Sequence, residues 1–320
     1  MRIGIDLGGT NIKVGIIDNQ GNIIAKSSIP TIVKRGVDLI IKDIIGQIEE
    51  ILDTANIPLE KIKSIGIGVP GLVDKKTQRI IFATNLFWQN VKLGEIIEDY
   101  FNKPTYIIND GIAAALGEHI AGSTKGVKDS VLITLGTGVG GGFIVNGSIY
   151  NGGHGWGSEI GHMIVGENFY NCNCGQNGCW ETFVSATALI MYVKKRISEG
   201  CNDSLIVKMV EGNLDNINGK TIFDGVKKED KLALETMDRF IKYLAIGIVN
   251  IYNILDPDSI VIGGGLAKAG SHILDPLKEE VGKRVFYKGV KYGDIVLAKL
   301  GNDGGIIGAG FLDTIPSIIP

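Results

Sequence analysis

The alternation of apolar stretches with glycine-containing turns predicts much of the regular structure of this chain. Apolar residues dominate positions 3–7, give way to the turn Gly8-Gly9-Thr10, and resume at positions 12–17. That layout is typical of a β-hairpin. A second glycine-threonine turn, inside positions 133–145, has the same layout. Two copies of one hairpin indicate two related halves rather than a long array of repeats.

Apolar periodicity also predicts the elements that connect and follow the two hairpins. We expect strands at 64–69, 106–109 and 259–262, and helices at 37–55, 111–120 and 231–255. Strands that alternate with helices indicate an α/β fold. Because no low-complexity linker separates the halves, we expect two domains that pack face to face across a cleft.

Composition excludes several classes of protein. The 320 residues are 44% hydrophobic and 21% charged, the ordinary profile of a folded protein, and the net charge is -3. That balance, with no basic run, argues against a nucleic-acid partner. No apolar run reaches the roughly 18 residues that a membrane helix needs, and the first residues lack the pattern of a secretory leader. We therefore expect a cytoplasmic protein with neither a nucleic-acid nor a membrane partner.

The first hairpin turn carries residues suited to binding phosphate. Glycines without a Cβ let backbone N–H groups approach phosphate oxygens, and the hydroxyl of Thr10 adds a donor. Asp6 at the strand end can hold Mg²⁺ through water, and Lys13 adds a positive charge near the phosphates. The alternative is a hairpin whose glycines only satisfy turn geometry.

The second turn contains the pattern G-x-G-x-x-G at Gly136–Gly141. In dinucleotide-binding proteins these glycines open a helix, and the N-terminus of that helix holds the pyrophosphate. Here the apolar residues at 143–145 continue a strand. We therefore predict no dinucleotide-binding site of that kind.

Asn109 and Asp110 lie at the end of a predicted strand and the start of a predicted helix. A carboxylate at that position is a candidate general base for an attacking hydroxyl during phosphoryl transfer. The alternative is that Asp110 is the N-cap of the helix, a role worth about 1 kcal/mol. Local sequence alone leaves both roles open, and the two are compatible.

His162, Cys172, Cys174 and Cys179 form the pattern H-x9-C-x-C-x4-C. Three thiolates and one imidazole suit a closed tetrahedral Zn²⁺ site, which is structural rather than catalytic. The alternative is a set of reduced cysteines without metal. Cys201, the remaining cysteine, is expected to be a free thiol.

Two carboxylates, those of Glu159 and Glu181, flank the cysteine segment. A metal ion that fixes both acceptors would create a rigid polar site for a ligand rich in hydroxyl groups. Glu181 is equally compatible with a residue at the start of a helix, where the helix dipole favours a negative charge.

These motifs together resemble the ROK family of bacterial sugar kinases and sugar-responsive repressors. The resemblance is carried by DLGGT at 6–10, by LGTGVGGG at 135–142, and most specifically by GSEIGHM at 157–163 followed by CNCGQNGCWE at 172–181. The resemblance covers essentially the whole chain, and the sequence is most similar to those of the bacterial glucokinases. The loop at 152–157 departs from the family pattern, since Trp156 stands where many members carry small residues.

The resemblance implies an actin/hexokinase-like (ribonuclease H-like) ATPase fold with two domains, at 1–116 plus 303–320 and at 117–302. It also implies transfer of phosphate from ATP with Mg²⁺ to the C6 hydroxyl of glucose, with Asp110 as the general base. Zn²⁺ would be structural, and His162 would serve both zinc and sugar, one ring nitrogen for each. Relatives are commonly homodimers or homotetramers, which we expect here.

The resemblance further assigns residues to the two ligands. Those expected to contact the sugar are Asn85, Asn109, Asp110, Glu159, His162 and Glu181. Those expected to bind the nucleotide and its metal ion are Asp6, Gly8, Gly9, Thr10, Asn11, Lys13, Thr137, Gly138, Gly264 and Gly265.

Several alternatives stay open. The acceptor can be N-acetylmannosamine or another hexose, and the donor can be ADP or polyphosphate. A sugar-responsive repressor is a second class, although the chain is acidic and the first phosphate motif begins at residue 4. An actin- or Hsp70-like ATPase is a third class, and it would leave the cysteine segment without a purpose.

Overall fold

A computed structural model describes residues 1–316, and the chain divides into two compact units. Unit 1 comprises Met1–Leu132, Gly141–Ser158 and the described part of Ala298–Pro320. Unit 2 comprises Ile133–Gly140 and Glu159–Leu297. The domain boundaries expected from the sequence stay a prediction, and positions 317–320 of that expectation lie outside the described residues.

The regular elements follow the α/β pattern predicted from the sequence. The strands are β1 (Arg2–Leu7), β2 (Asn11–Ile17), β3 (Ile23–Pro30), β4 (Ile65–Val69), β5 (Leu72–Asp74), β6 (Arg79–Ala83), β7 (Trp88–Val91), β8 (Thr105–Asn109), β9 (Ser130–Leu135), β10 (Val139–Val145), β11 (Ser148–Tyr150), β12 (Ser259–Gly263) and β13 (Asp294–Leu297). The helices are α1 (Val37–Thr54), α2 (Leu93–Phe101), α3 (Asp110–Ala121), α4 (Glu181–Val184), α5 (Ala186–Ser198), α6 (Leu205–Met209), α7 (Gly219–Lys227), α8 (Lys231–Leu255), α9 (Ser271–Arg284) and α10 (Gly304–Gly310).

The first five-stranded sheet has the order β3-β2-β1-β4-β8. The predicted first hairpin is confirmed, because β1 and β2 pair antiparallel with Asp6 opposite Lys13. Strands β4 and β8 continue the sheet in the direction parallel to β1. Parallel strands place their carboxyl ends at one edge, which is where ligands bind in open α/β sheets. The sheet therefore defines one edge as the candidate site of unit 1.

Two further sheets complete the topology. A three-stranded sheet has the order β5-β6-β7, and a second five-stranded sheet has the order β11-β10-β9-β12-β13. The second glycine-threonine turn leads into β10 rather than into a helix. The prediction that this turn continues into a strand rather than a helix is thus confirmed.

Isoleucine side chains form much of the core of unit 1. Ile3 and Ile5 of β1 are fully buried, as are Ile40, Ile44 and Ile48 of α1. The spacing of four residues places the three α1 side chains on one face of the helix. That face covers the sheet and explains why the predicted helix at 37–55 forms.

Helix α10 packs closely on the first sheet and on α3. A Cβ on Gly4 of β1 would collide with the carbonyl oxygen of Ile306, and a Cβ on Gly308 would collide with that of Ala113. The glycines therefore permit a helix–strand and a helix–helix approach that larger residues would block. They explain the last glycine cluster of the sequence.

The core of unit 2 is built around α8, which begins and ends where the sequence predicts. Trp180 is fully buried, and its indole Nε1 donates a 2.8 Å hydrogen bond to the carbonyl of Tyr243. Gly247 makes room for the indole, because a Cβ there would overlap the ring. No helix within residues 1–316 is both long enough and apolar enough to span a bilayer.

Candidate active site

The carboxyl edge of the first sheet carries the acidic residues that the sequence singles out in unit 1. Asp6 pairs with Gly68 across β1 and β4, and Val69 pairs with Asn109 across β4 and β8. Asp110 follows directly as the first residue of α3. Because neighbouring strands lie about 4.8 Å apart, Asp6 and Asp110 are separated by little more than two strand spacings along this edge.

Lys13 and Asp6 form an ion pair at the first phosphate loop. Lys13 Nζ lies 2.6 Å from Asp6 Oδ2, and both side chains are largely buried, at 27% and 19% exposed. The loop between them is closed by a 2.9 Å hydrogen bond from Gly8 N–H to the carbonyl of Asn11. The loop is thus held in place, with its cation and its carboxylate paired to each other.

The start of α3 separates the roles of Asn109 and Asp110. The side chain of Asn109 accepts hydrogen bonds from the N–H groups of Gly111, at 2.9 Å, and Ile112, at 3.3 Å. Asn109 is therefore the N-cap, and the alternative that Asp110 occupies this position is wrong. Asp110 instead accepts a 2.8 Å hydrogen bond from Gly111 N–H through its Oδ1.

Asn85 lies against the first phosphate loop. A Cβ built on Gly9 would lie 3.3 Å from the Cβ of Asn85, so the two backbones run close together. Asn109 Nδ2 donates a 3.2 Å hydrogen bond to the carbonyl of Gly71, which packs in turn against the backbone of Ala83. Unit 1 therefore brings three predicted ligand positions into one region: Asn85 and Asn109 for the sugar, and Gly9 for the nucleotide.

The second glycine-threonine turn, Gly136–Gly141, is the predicted second phosphate loop, and Glu181 holds it in place. Its Oε2 accepts a 2.9 Å hydrogen bond from the backbone N–H of Val139. A Cβ on Gly138 would collide with the same carboxylate oxygen, so a larger residue there would push Glu181 away from the loop. Glu181 also begins α4, as the helix-start alternative proposes. Its contact with the loop is a further role, which sequence reasoning did not reveal.

The four predicted metal ligands meet in unit 2. The ligand atoms of His162, Cys172, Cys174 and Cys179 all lie within 4.8 Å of one another. His162 Nδ1 is 3.7 Å from Cys172 Sγ, and the sulfur atoms of Cys174 and Cys179 are 3.5 Å apart. Tetrahedral ligands at the usual Zn–S distance are about 3.8 Å apart. The cluster therefore has the dimensions of a metal site.

Burial explains why this cluster suits a cation. Cys172 and Cys179 are buried, and burial raises the pKa of both thiols, that of Cys179 to about 12. Thiolates in such surroundings need a positive charge to stabilise them, which a bound metal ion supplies. Glu181 Oε1 lies 3.9 Å from Cys172 Sγ. One carboxylate thus faces both the cysteine cluster and the second phosphate loop.

A cavity of about 710 Å³ opens beside the second phosphate loop. Thr137 and Gly265, two predicted nucleotide ligands, line it. Gly264 instead has a φ of +84° and packs on the backbone of Leu135. Helix α7 supplies a further wall through Phe223 and Lys227. Helix α7 was not predictable as part of the site, because a short helix with scattered lysines is typical of any solvated surface.

The predicted sugar ligands fall into two sets, one in each unit. Asn85, Asn109 and Asp110 belong to unit 1. Glu159 and His162 bracket a short 3-10 helix in unit 2, and the N–H of His162 donates a 3.1 Å hydrogen bond to the carbonyl of Glu159. In unit 2 the candidate sugar ligands are thus tied to the cysteine cluster.

Comparison with known protein sequences gives matches over nearly the whole chain. The family model described as "ROK family" matches residues 2–314. A glucokinase of Halalkalibacterium halodurans is 35% identical over 311 residues, which are 97% of this chain and 94% of that protein. A xylose repressor of Bacillus subtilis is 30% identical and is matched over 96% of this chain and 75% of its own length. The relatives therefore include both enzymes and regulators.

Comparison with solved structures identifies the fold. A ROK family glucokinase from Streptomyces griseus, in complex with glucose and AMPPNP, has a TM-score of 0.82 and 29% identity, with 97% of this chain and 98% of that chain covered. A ROK hexokinase from Thermus thermophilus has a TM-score of 0.83 and 26% identity, with 98% of each chain covered. The chain has the actin-like fold of these sugar kinases, as predicted from the sequence.

Proposed function

Since this chain belongs to the ROK family, we propose that it is a glucokinase, which transfers phosphate from ATP to the C6 hydroxyl of glucose and releases glucose 6-phosphate. The observation that supports this best is the full-length similarity to glucokinases, together with the fold shared with a glucokinase that holds glucose and AMPPNP. The glucokinases are matched over 94% or more of their own length, whereas the xylose repressor of Bacillus subtilis is matched over 75%.

Asp110 is the proposed general base. A sugar hydroxyl, with a pKa of about 16 by comparison with water, does not ionise alone. Asp110 takes its proton as the C6 oxygen bonds to the γ-phosphorus and the bond from that phosphorus to the bridging oxygen breaks, which releases ADP. The position of Asp110 at the carboxyl edge suits this role, and Asn109 supplies the helix cap in its place.

The two glycine-threonine loops hold the phosphates in this proposal. Asp6 would hold Mg²⁺ through water, and Lys13, whose Nζ lies 2.6 Å from Asp6 Oδ2, would add a positive charge near the phosphates. The cavity of unit 2 takes the adenosine, because it joins Thr137 of the second loop to an apolar wall that includes Phe223. Backbone N–H groups of the loops complete the phosphate contacts.

The cysteine cluster holds structural Zn²⁺ in this proposal. His162, through Nδ1, and the three cysteine thiolates would hold the ion, and Nε2 of the same ring would then be left for the sugar. Bound in this way, His162 would be fixed together with the nearby carboxylates Glu159 and Glu181. These groups then orient the hydroxyls of glucose while the metal ion performs no chemical step.

The family also suggests the setting in which this activity occurs. We propose a cytoplasmic enzyme that assembles as a homodimer or homotetramer and needs no nucleic-acid or membrane partner. N-acetylmannosamine kinase and sugar-responsive repressor are the competing functions, and the repressor relatives give the latter a specific basis.

A coupled assay of nucleotide consumption tests the proposed function. The assay supplies Mg-ATP with glucose, mannose, fructose, N-acetylglucosamine or N-acetylmannosamine, one at a time. We expect glucose to support the highest kcat/KM. Turnover only with an N-acetylated sugar would move the substrate assignment, and no sugar-dependent turnover at all would overturn the kinase assignment.

A further inference from the structure

The loop Asn151–Ser158 has a rigid base. Asn151 is 5% exposed, and its carbonyl accepts a 2.8 Å hydrogen bond from Gly157 N–H, which closes the loop on itself. The side chain of Asn151 also accepts a hydrogen bond from Lys75 Nζ. A Cβ on Gly157 would meet the carbonyl carbon of Asn151 at 2.7 Å, so the closure requires glycine. The base of the loop is therefore fixed by hydrogen bonds and by close backbone packing.

The tip of the same loop presents an indole to solvent. Trp156 is 64% exposed, whereas Trp88 is 1% and Trp180 is 0% exposed. These are the three tryptophans of the chain. The backbone on either side is left-handed, with a φ of +80° at Gly155 and +74° at Ser158. Residues that carry a side chain, such as Ser158, rarely adopt that conformation. The turn that projects Trp156 therefore costs conformational free energy at Ser158.

Trp156 lies within reach of the proposed sugar ligands. It stands three residues before Glu159, and three fully extended residues span at most about 11 Å. Chain length alone thus keeps the two Cα atoms within that distance, whatever the arrangement of the two units. The length of the indole adds to this reach.

We propose, on the basis of the glucokinase function proposed above, that Trp156 packs against the bound acceptor sugar. A pyranose ring has an apolar face of C–H groups, and an indole is a large, flat apolar surface that gains by leaving water. The anchored base restricts the backbone that carries the indole, so less conformational entropy is lost when the sugar binds. Trp156 is thus a further sugar-binding residue.

Intrinsic fluorescence tests this directly, because Trp156 is exposed while Trp88 and Trp180 are fully buried. Glucose is titrated into the full chain in the presence of a nonhydrolysable ATP analogue. We expect a blue shift of the emission and a loss of quenching by acrylamide, both saturating with glucose. Trp156→Phe should abolish the change, because it removes the only exposed indole among the three tryptophans.

Kinetics supply the second readout. Trp156→Ala should raise the glucose KM about tenfold with little change in kcat, since the lost contact is one of binding. Phe286→Ala is the control, because Phe286 is also exposed, at 86%, and lies on a distant segment of the sequence. Its KM should not change. Both side chains are exposed, so both variants should keep the melting temperature of the wild type.

The outcomes separate this inference from the proposed function. Glucose-dependent turnover with unchanged quenching, or a glucose KM within twofold of the wild type in Trp156→Ala, would overturn the inference and leave the kinase intact. Absence of turnover with every sugar would overturn the kinase assignment. In that case the same titration with each sugar still tests the contact. If none of the sugars changes the fluorescence, Trp156 does not contact a sugar.

Discussion

Glu181 accepts a hydrogen bond from the backbone N–H of Val139, with 2.9 Å between the nitrogen and Oε2. The two residues belong to segments on which different ligands are expected, Val139 to the second phosphate loop and Glu181 to the sugar-binding set. The other carboxylate oxygen faces Cys172 at 3.9 Å. A single side chain therefore joins the phosphate loop to the cysteine cluster.

Replacement of Glu181 by alanine should impair both substrates. The change removes the acceptor for Val139 N–H, and a hydrogen bond to a charged group is worth roughly 1.5–3 kcal/mol. We expect kcat/KM to fall about 10- to 150-fold for glucose and for ATP. Steady-state kinetics with each substrate varied in turn measures this. Glu181→Gln keeps an acceptor oxygen, so its kcat/KM should fall less. If Glu181→Ala raised only the glucose KM, the contact between Glu181 and the second phosphate loop would have no role in ATP binding.

Asp110→Asn should lower kcat at least about 100-fold, as expected when a general base is lost. Glucose binding should be weakened but detectable by calorimetry. The melting temperature should stay close to that of the wild type, because Asn109 rather than Asp110 caps α3.

Asn109→Ala is the matched variant for that test. It removes the cap of α3 and should cost about 1 kcal/mol of the free energy of unfolding. A large loss of stability in Asp110→Asn, together with retained turnover, would show that Asp110 has a structural role instead.

Cys174→Ala should remove the metal ion. Cys174 is exposed, so the substitution perturbs packing little, yet it takes one of four ligands from the cluster. We expect the zinc content measured by mass spectrometry to fall from about one ion per chain to a trace. The glucose KM should rise about tenfold or more, as is typical when the support of a ligand-binding histidine is lost.

Cys201→Ala is the control, because Cys201 lies outside the cluster. Its zinc content and KM should match those of the wild type. A Cys174→Ala protein that lacks zinc but keeps its KM would refute the idea that the metal ion orients the sugar ligands.

Two glycine substitutions should have opposite effects on stability. Gly308→Ala places a Cβ in collision with the carbonyl of Ala113, and overpacking of this kind costs about 3 kcal/mol. Gly46 lies exposed within α1 with no atom near its missing Cβ, so Gly46→Ala should add about 0.5–1 kcal/mol. Urea unfolding followed by circular dichroism measures both. If Gly308→Ala did not lower the free energy of unfolding, α10 would have to shift to accept the methyl group.

Local features were predictable from the sequence. Helix α8 has the predicted limits because its apolar periodicity and the N-cap Asp230 are encoded within the helix and beside it. The first hairpin follows from one alternating pattern and one turn. The cysteine cluster was also predictable, since its ligands lie close in sequence and their residue types suit one metal ion.

Features that depend on distant contacts were not predictable. Glu181 and Val139 are 42 positions apart, and neither has a local signal for the other. Helix α10 is largely glycine, which has the second-lowest helix propensity after proline, so only its packing against β1 and α3 makes it helical. The N-cap was assigned to Asp110 as an alternative because asparagine and aspartate cap equally well, and only the side-chain geometry separates them.

The contact of α10 with β1 has a consequence for the order in which the protein is made. Strand β1 leaves the ribosome long before α10, because α10 is the last helix among the described residues. Gly4 lies open until Ile306 has been synthesised and packs over it. Unit 1 therefore cannot complete its core before α10 has been made, whereas all of Glu159–Leu297 has been made earlier and can fold first. Until then, the nascent chain has to keep the side of its first sheet that α10 will cover exposed to chaperones and to aggregation.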